Sequence, residues 1–229
     1  MPNKQNNLKS KRWELIELAQ KRRETQWPRY SCIGDYQNGT YECDHVSPYT
    51  KAANNLDADI FVLLQDWDSH DGLSGPFDCC VQELGYSPNQ ATNVNLIKLL
   101  AGHFHVPLAD TYATNLFPFI KQGGMSEKIL TSDLNRAAIQ FALPQIAIVK
   151  PRLVICLGIA TFNALRRAIG LQKVKNTTVG LTSKFLFAGA EVWLQAHTGA
   201  LGKINRNRGS VDRVTDDWTK MAKHFRDSA

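Results

Sequence analysis

The chain has 229 residues, a length for which a single domain spanning residues 1–229 is the default expectation. Its 27 basic and 21 acidic residues give a net charge of +6, which suits a polyanionic partner without requiring one. The five cysteines are odd in number and irregularly spaced, which argues against a secreted disulfide scaffold, and the absence of a CxxC pair gives little support to a zinc site. No apolar run reaches the length of a membrane span, and the polar N-terminus lacks a signal-peptide core.

In the first half of the chain, residues 8–25 interleave apolar and basic side chains with helical spacing. Residues 28–56 are rich in Gly, Pro, Asn and Tyr and are predicted to be loop, so residues 1–56 form a helix and loop extension. The nearly continuous apolar run from Ala58 to Leu64 predicts a strand that is buried on both faces. Helical spacing returns from Asn93 to Phe104.

The second half of the chain alternates apolar runs with helical patterns. Further strands are predicted at residues 110–118, 152–158 and 191–196. Helices are predicted from Ser132 or Asp133 to Val149 with a kink at Pro144, at residues 160–169, and at residues 212–225. This order indicates an α/β fold, which we predict to be a three-layer α/β/α arrangement around a mostly parallel four-stranded sheet.

Ligands of parallel sheets bind beyond the carboxyl ends of the strands, so the residues at those ends are candidate site residues. The first strand runs into Gln65, Asp66, Trp67 and Asp68, the second contains Asn115 near its end, and the fourth ends at His197. The sequence therefore predicts that a carboxylate, an amide and an imidazole lie close together at one edge of the sheet.

His197 is followed by Thr198, Gly199, Ala200 and Leu201, and then by a stretch from Gly202 to Gly209 that contains cations and no acid. We predict a basic loop there, with Leu201 exposed because its glycine-rich surroundings are poor company for a core residue.

These motifs resemble those of the uracil-DNA glycosylase superfamily. The best-known branch ends its first strand in Gly-Gln-Asp-Pro-Tyr, where this chain has Leu64-Gln65-Asp66-Trp67-Asp68. That branch ends its second strand in an Asn that reads the base, and its last motif is His-Pro-Ser-Pro-Leu followed by a basic loop. Asn115 and the string His197-Thr198-Gly199-Ala200-Leu201 stand at those places, and the match runs in order from about Asp57 to Gly209.

The resemblance implies a monofunctional hydrolase that flips a pyrimidine nucleotide out of DNA and cleaves its N-glycosidic bond. Asp66 is then expected to position the attacking water and stabilise the cationic sugar. His197 is expected to donate a hydrogen bond to the base carbonyl, and Asn115 to bind the pyrimidine edge. Gln65 is expected to contribute mainly through backbone groups.

The resemblance also implies which residues contact DNA. Leu201 is expected to fill the space that the flipped nucleotide leaves. The residues expected at phosphates are Lys203, Arg206 and Arg208. Either Phe77, in a Gly-Pro-Phe string like the Pro-Phe of other branches, or Trp67 is expected to stack on the base, and the sequence does not choose between them.

The chain departs from the family pattern at Asp68, which replaces the Tyr that excludes thymine, and at Trp67, which replaces the Pro. The polar loop from Asp68 to Gly72, with His70 as a minor candidate, is suited to a hydroxylated or glycosylated C5 substituent. Uracil, as in repair, and a C5-modified pyrimidine of phage DNA, as in antiviral defence, therefore remain alternatives. The four spaced cysteines of the iron–sulfur branches are absent.

Each candidate also has an ordinary structural interpretation, as a helix cap for Asp66, a turn residue for Asn115, a buried imidazole for His197 and a core side chain for Leu201. A non-catalytic DNA-binding module is the alternative function. We expect a monomer with DNA as its partner, with no membrane partner, cofactor or metal, in a cytoplasmic setting (bacterial or phage-associated, at the nucleoid).

Overall fold

The computed structural model describes residues 2–208 and 211–228, so Gly209, the end of the predicted basic loop, lies outside the described residues. In chain order the elements are α1 (Pro2–Glu24), β1 (Tyr30–Ser31), β2 (Ile60–Asp66), α2 (His70–Leu73), α3 (Cys79–Leu84), α4 (Ala91–Phe104), β3 (Tyr112–Phe117), β4 (Ile120–Lys121), α5 (Thr131–Ala137), α6 (Leu143–Val149), β5 (Leu153–Leu157), α7 (Ile159–Ala168), α8 (Thr177–Gly180), β6 (Phe185–Phe187), β7 (Ala190–Gln195), α9 (Ala200–Arg206) and α10 (Arg213–Asp227). Within the described ranges, none of the helices has both the length and the apolar character that crossing a membrane requires.

The fold is α/β, and its main sheet has the strand order β3-β2-β5-β7-β6. The first four of these strands are parallel, and β6 pairs antiparallel with β7. All four predicted strands are present, but the sheet has five strands and the predicted count of four is wrong. The missed strand β6 has three residues, too few to show a periodic pattern. Ala188 and Gly189 connect it to β7 with positive φ angles of 50° and 87°, as a two-residue hairpin turn requires.

The parallel strands are apolar throughout because helices cover both faces of the sheet. On one face, Phe61 and Leu63 of β2 join a core that includes Phe162 of α7. On the other face, Val62 and Leu64 pack with side chains of α4 and α10. This burial on both sides explains why the sequence shows continuous apolar runs rather than alternation.

The helix predicted to run to Val149 begins at Thr131, ahead of both predicted caps. Its irregularity is a π-helical segment at Ala138–Ala142, immediately before Pro144. A proline lacks the N–H that bonds four residues back and crowds the carbonyl there, which belongs to Gln140. A π segment is a common way for a helix to absorb such a defect.

The stretch predicted to be a basic loop is helical from Ala200 to Arg206, as α9. Its glycine and asparagine residues have low helix propensity, which is why the sequence favoured a loop. Arg206 forms an ion pair with Asp217 of α10, and this tertiary contact holds the short helix in place. The prediction of a loop is therefore wrong for this segment.

The N-terminal extension is an integral part of the fold. β1 pairs antiparallel with β4, with Tyr30 opposite Lys121. The Lys11 ammonium of α1 donates to the carbonyl oxygens of Leu56 and Val149, at 2.9 and 3.0 Å. The region predicted to be loop thus contains a strand, β1, which pairs with the segment that carries Lys121.

Candidate functional site

A cavity of about 460 Å³ opens at the carboxyl edge of β2, β3 and β7, a size typical of small-molecule sites. The predicted site residues that line it are Gln65, Asp66, Trp67, Asp68, Asn115 and His197. The predicted residues that are not among its lining are Phe77, Leu201, Lys203, Arg206 and Arg208. The structure therefore brings the strand-end candidates together and places the others around or away from this space.

Asp66 ends β2 with a carboxylate that is held at both oxygens. The Gln65 amide donates to its Oδ1 at 2.9 Å, and the Lys121 ammonium donates to its Oδ2 at 2.6 Å. The side chains of Asp66 and Lys121 are only 8% and 4% exposed. Because each carboxylate oxygen accepts more than one hydrogen bond, the group retains capacity for a water in the cavity.

Asn115 lies on β3 beside Leu64 of β2 and is almost fully buried. The Ser47 hydroxyl donates to its Oδ1 at 2.6 Å, and the same hydroxyl accepts from the Tyr49 backbone N–H. In residues 2–208 and 211–228, no acceptor takes a hydrogen bond from its Nδ2. The amide is thus oriented through its oxygen, and its N–H groups remain for a ligand.

His197 follows β7 and presents a neutral imidazole. The Gly199 N–H donates to its Nδ1 at 3.0 Å, so the ring proton belongs on Nε2. Burial lowers the pKa of His197 below its ordinary 6.5, and the charge of Asp66 opposes that shift. A Cβ at Gly202 would collide with the His197 carbonyl oxygen, so glycine is needed there for the close turn into α9.

Thr198 fixes this turn onto α4. Its hydroxyl donates to the Thr92 carbonyl at 2.9 Å, and its own carbonyl accepts from the Asn95 amide at 2.8 Å. The imidazole therefore rests on a backbone that is held by a neighbouring helix.

Asp68 and Trp67 form the wall where the chain departs from the family motif. Burial raises the pKa of the Asp68 carboxyl above its ordinary value, and the nearby charge of Asp66 adds to the rise. The Trp67 indole N–H donates to the Gly85 carbonyl at 2.8 Å. This wall combines an anchored aromatic ring with a carboxyl group that is easier to protonate than usual.

Of the two candidate stacking rings, the structure places Trp67 at the cavity and Phe77 away from its lining. Phe77 is half exposed and stacks on Tyr41, with ring centroids 5.6 Å apart. Tyr49 and Tyr86 also line the cavity, and sequence reasoning missed both of them.

The helix α9 projects apolar side chains from the rim. Leu201 is 76% exposed and Ile204, one turn later, is 64% exposed. Sequence reasoning missed Ile204 because it assumed a loop, in which a spacing of three residues has no meaning.

The three predicted phosphate contacts differ in their surroundings. Arg206 forms a bidentate pair with Asp217, at 2.6 and 2.9 Å, so its charge is already matched. The Lys203 ammonium reaches the Asn95 amide oxygen at 3.4 Å. Among the described residues, the Arg208 guanidinium forms a hydrogen bond only with the neutral Asn205 side chain, at 3.1 Å, and Arg208 is exposed. Arg208 and Lys203 are thus better placed than Arg206 to bind an anion.

Two grooves that contain cations and no carboxylate among their lining residues flank the cavity. One includes Arg208 and Arg213 beside His197. The other includes Arg167, Lys173 and Lys175, and the two meet at Ile159, the first residue of α7. Except for Arg208, sequence reasoning missed these cations because they come from three separate segments.

The other missed residues of the site are Lys121, Ser47 and Tyr49. Lys121 had a weak signal as the single charge that closes the apolar run from Phe117 to Ile120. Ser47 and Tyr49 lie in a segment without periodicity and reach the site only through the tertiary fold.

Within the described residues, one group of side chains has metal-ligand spacing, namely the exposed Asp78, Cys79 and Cys80. The Asp78 carboxylate accepts from the backbone N–H groups of Cys80 and Val81, so it serves as the N-cap of α3. None of these three residues lines the cavity.

No protein-family model matches the chain, and no curated protein matches it.

Proposed function

We propose that the protein is a DNA glycosylase that binds a flipped pyrimidine nucleotide and hydrolyses its N-glycosidic bond, leaving an abasic site. The observation that carries this proposal is the convergence of Asp66, Asn115 and His197 around one cavity at the carboxyl edge of the sheet. A carboxylate, an oriented amide and a neutral imidazole are the groups that this reaction needs, and the motifs that hold them resemble the uracil-DNA glycosylase superfamily.

The chemistry follows from the three groups. The bond between the sugar C1′ and the base nitrogen breaks, and its electron pair leaves with the base. The Asp66 carboxylate stabilises the cationic sugar, orients the water whose oxygen bonds to C1′ and accepts the proton that this water loses, while the base leaves as its anion. The Nε2–H of His197 donates to the base carbonyl oxygen as negative charge develops there. Because the imidazole is already neutral and oriented, it needs no reorganisation during the reaction.

The rim supports DNA as the substrate. Leu201 and Ile204 are exposed on one face of α9, the helix that begins three residues after His197, as apolar wedges that replace an extruded base must be. The two cationic grooves, each of which shares lining residues with the cavity, supply a path for the phosphates of the strand.

The wall at Asp68 is compatible with both candidate substrates, uracil and a C5-modified pyrimidine. Asp68, Ser126 and Glu127 place polar groups in the same cavity. A volume of about 460 Å³ leaves room for uracil and for a pyrimidine with a polar C5 substituent. Excision of the first corresponds to repair, and excision of the second corresponds to defence against phages with modified DNA.

Purified protein incubated with oligonucleotides that contain uracil, hydroxymethyluracil or glucosylated hydroxymethylcytosine tests the proposal. We expect at least one of them to acquire alkali-labile abasic sites, whereas unmodified DNA stays intact. Loss of activity in His197→Ala, by about 100-fold, is expected because one donor to the developing oxyanion is removed. His103→Ala is the matched control, since His103 is not among the cavity lining. If all three modified substrates stay intact, the glycosylase proposal is wrong.

A non-catalytic DNA-binding module is the second candidate, favoured by the closed pairing of Asp66 with the Lys121 ammonium. A carboxylate of this kind stabilises the cavity without reacting. This candidate predicts salt-sensitive binding of DNA with no release of base from any substrate.

A further inference from the structure

Lys121 lines the cavity, and its ammonium forms an ion pair with the Asp66 carboxylate. It is 3% exposed, and its Nζ lies 2.6 Å from Asp66 Oδ2 and 2.6 Å from the Met125 carbonyl oxygen. Burying an ammonium is costly unless its hydrogen bonds are supplied, so these two contacts define its place.

The backbone of Lys121 is fixed independently of its side chain. It pairs with Tyr30 of β1 on one side and forms a parallel bridge with Ser69 on the other. The backbone of Lys121 is therefore held between β1 and the segment at Ser69, which limits the positions that its ammonium can take.

The two acceptors of Lys121 belong to different parts of the cavity. Asp66 is the candidate catalytic carboxylate, whereas Met125 begins a wall of five consecutive lining residues that ends at Ile129. A single ammonium thus ties the carboxylate at the end of β2 to this wall. It also offsets the negative charge at a place where a second carboxyl group, Asp68, lies close by.

We infer that Lys121 is a positioning residue, which orients the Asp66 carboxylate toward the reacting sugar. This inference rests on the proposed glycosylase function. A cation beside a developing cationic sugar is unfavourable by itself, so Lys121 acts through Asp66 rather than on the sugar.

The test compares Lys121→Met, Lys121→Arg and a matched control, Lys11→Met, under single-turnover conditions on the substrate that the wild-type protein cleaves. Lys11 is also a buried lysine with two carbonyl acceptors, but it lies away from the cavity lining. Each rate is measured per folded protein, and DNA affinity is measured in parallel.

We expect Lys121→Met to lower the maximal rate by about 100-fold, because a misplaced catalytic group costs about that much, with DNA affinity changed by less than about threefold. Lys121→Arg keeps the charge and is expected to restore most of the rate. Lys11→Met is expected to keep the wild-type rate.

A double variant covers the case in which Lys121→Met does not fold. Lys121→Met combined with Asp66→Asn leaves no unpaired charge, and its rate is expected to equal that of Asp66→Asn alone. A further loss in the double variant would overturn the inference, as would a Lys121→Arg protein that is as slow as Lys121→Met.

Borohydride trapping of Lys121 on an abasic sugar would also overturn it, because the amine would then touch the reacting atoms. If the wild-type protein releases no base at all, the glycosylase proposal fails first. If the wild-type protein is active and Lys121→Met matches it, only the role of Lys121 is refuted.

Discussion

The floor of the cavity, formed by Asp66 and Asn115, and the neighbouring helix α9, which we call the rim, differ in burial and in rigidity. On the floor, Asp66 and Asn115 are almost fully buried on adjacent parallel strands, and other side chains hold their polar atoms. On the rim, Leu201 and Ile204 of α9 are 76% and 64% exposed on a seven-residue helix. The difference indicates a division of labour, in which rigid strands orient the chemistry and an exposed helix is free to meet a long polymer.

The largest expected effect is on the rate of base release and comes from a change at Asp66, on the floor of the cavity. Asp66→Asn is expected to lower the rate of base release by about 1,000-fold, because the amide neither stabilises a cationic sugar nor accepts the proton of water. DNA affinity is expected to stay within about threefold of wild type, since the rim is untouched. Single-turnover rates and binding titrations measure the two effects separately.

Asp110→Asn is the control for that change, since it removes an exposed carboxylate that is not among the cavity lining. An Asp66→Asn protein that keeps full activity would show that Asp66 has no catalytic role.

The next effect separates two arginines of the same rim. Arg206→Ala leaves Asp217 unpaired at 8% exposure and is expected to lower the free energy of unfolding by about 2 kcal/mol. Arg208→Ala is expected to leave stability unchanged and to reduce the salt dependence of DNA binding by about one counterion. Urea unfolding and salt titrations measure these outcomes. The assignment fails if the two variants exchange their effects.

A smaller effect is expected at the apolar rim. Leu201→Ala is expected to slow base release from duplex DNA by about tenfold, because the extruded nucleotide loses the side chain that takes its place. On single-stranded DNA, where no stack must be opened, the rate is expected to change little. Leu186→Ala is the matched control, since Leu186 is 69% exposed on the edge strand β6. Equal losses on both substrates would show that Leu201 is no wedge.

The smallest effect is a pH dependence of stability. Burial lowers the pKa of both His45 and His197 below the ordinary 6.5. Below that pH the unfolded chain binds protons that the folded chain does not, so the folded state is expected to lose stability as the pH falls from about 7.5 to about 5.5.

Each histidine is expected to contribute about 1 kcal/mol or less to that loss, and His45→Gln is expected to flatten the dependence. Urea unfolding at several pH values measures it. A stability that rises on acidification through this range contradicts the assignment.

The same contrast explains what the sequence predicts and what it does not. Parallel strands buried on both faces produce apolar runs, and the residue after each run lies at the edge of the sheet, which makes Asp66, Asn115 and His197 recognisable. The loop predicted after Gly202 is a helix because a distant ion pair, between Arg206 and Asp217, stabilises it. Local propensity carries no information about such a partner.

Lys121 and Ser47 were missed for a similar reason. Their side chains lie 55 and 68 positions from the residues that they hold, Asp66 and Asn115. The three-residue strand β6 was missed because it is too short for a pattern. Sequence therefore predicts the groups of the floor, whereas the contacts that orient them depend on the tertiary fold.

The most direct test of the proposed glycosylase activity is the quantification, by mass spectrometry, of free base and abasic sites from one modified oligonucleotide. We expect equal amounts of the two products with the wild-type protein, and a loss of both in Asp66→Asn. Tight, salt-sensitive binding of the same DNA without free base would contradict the glycosylase proposal and leave a DNA-binding module instead.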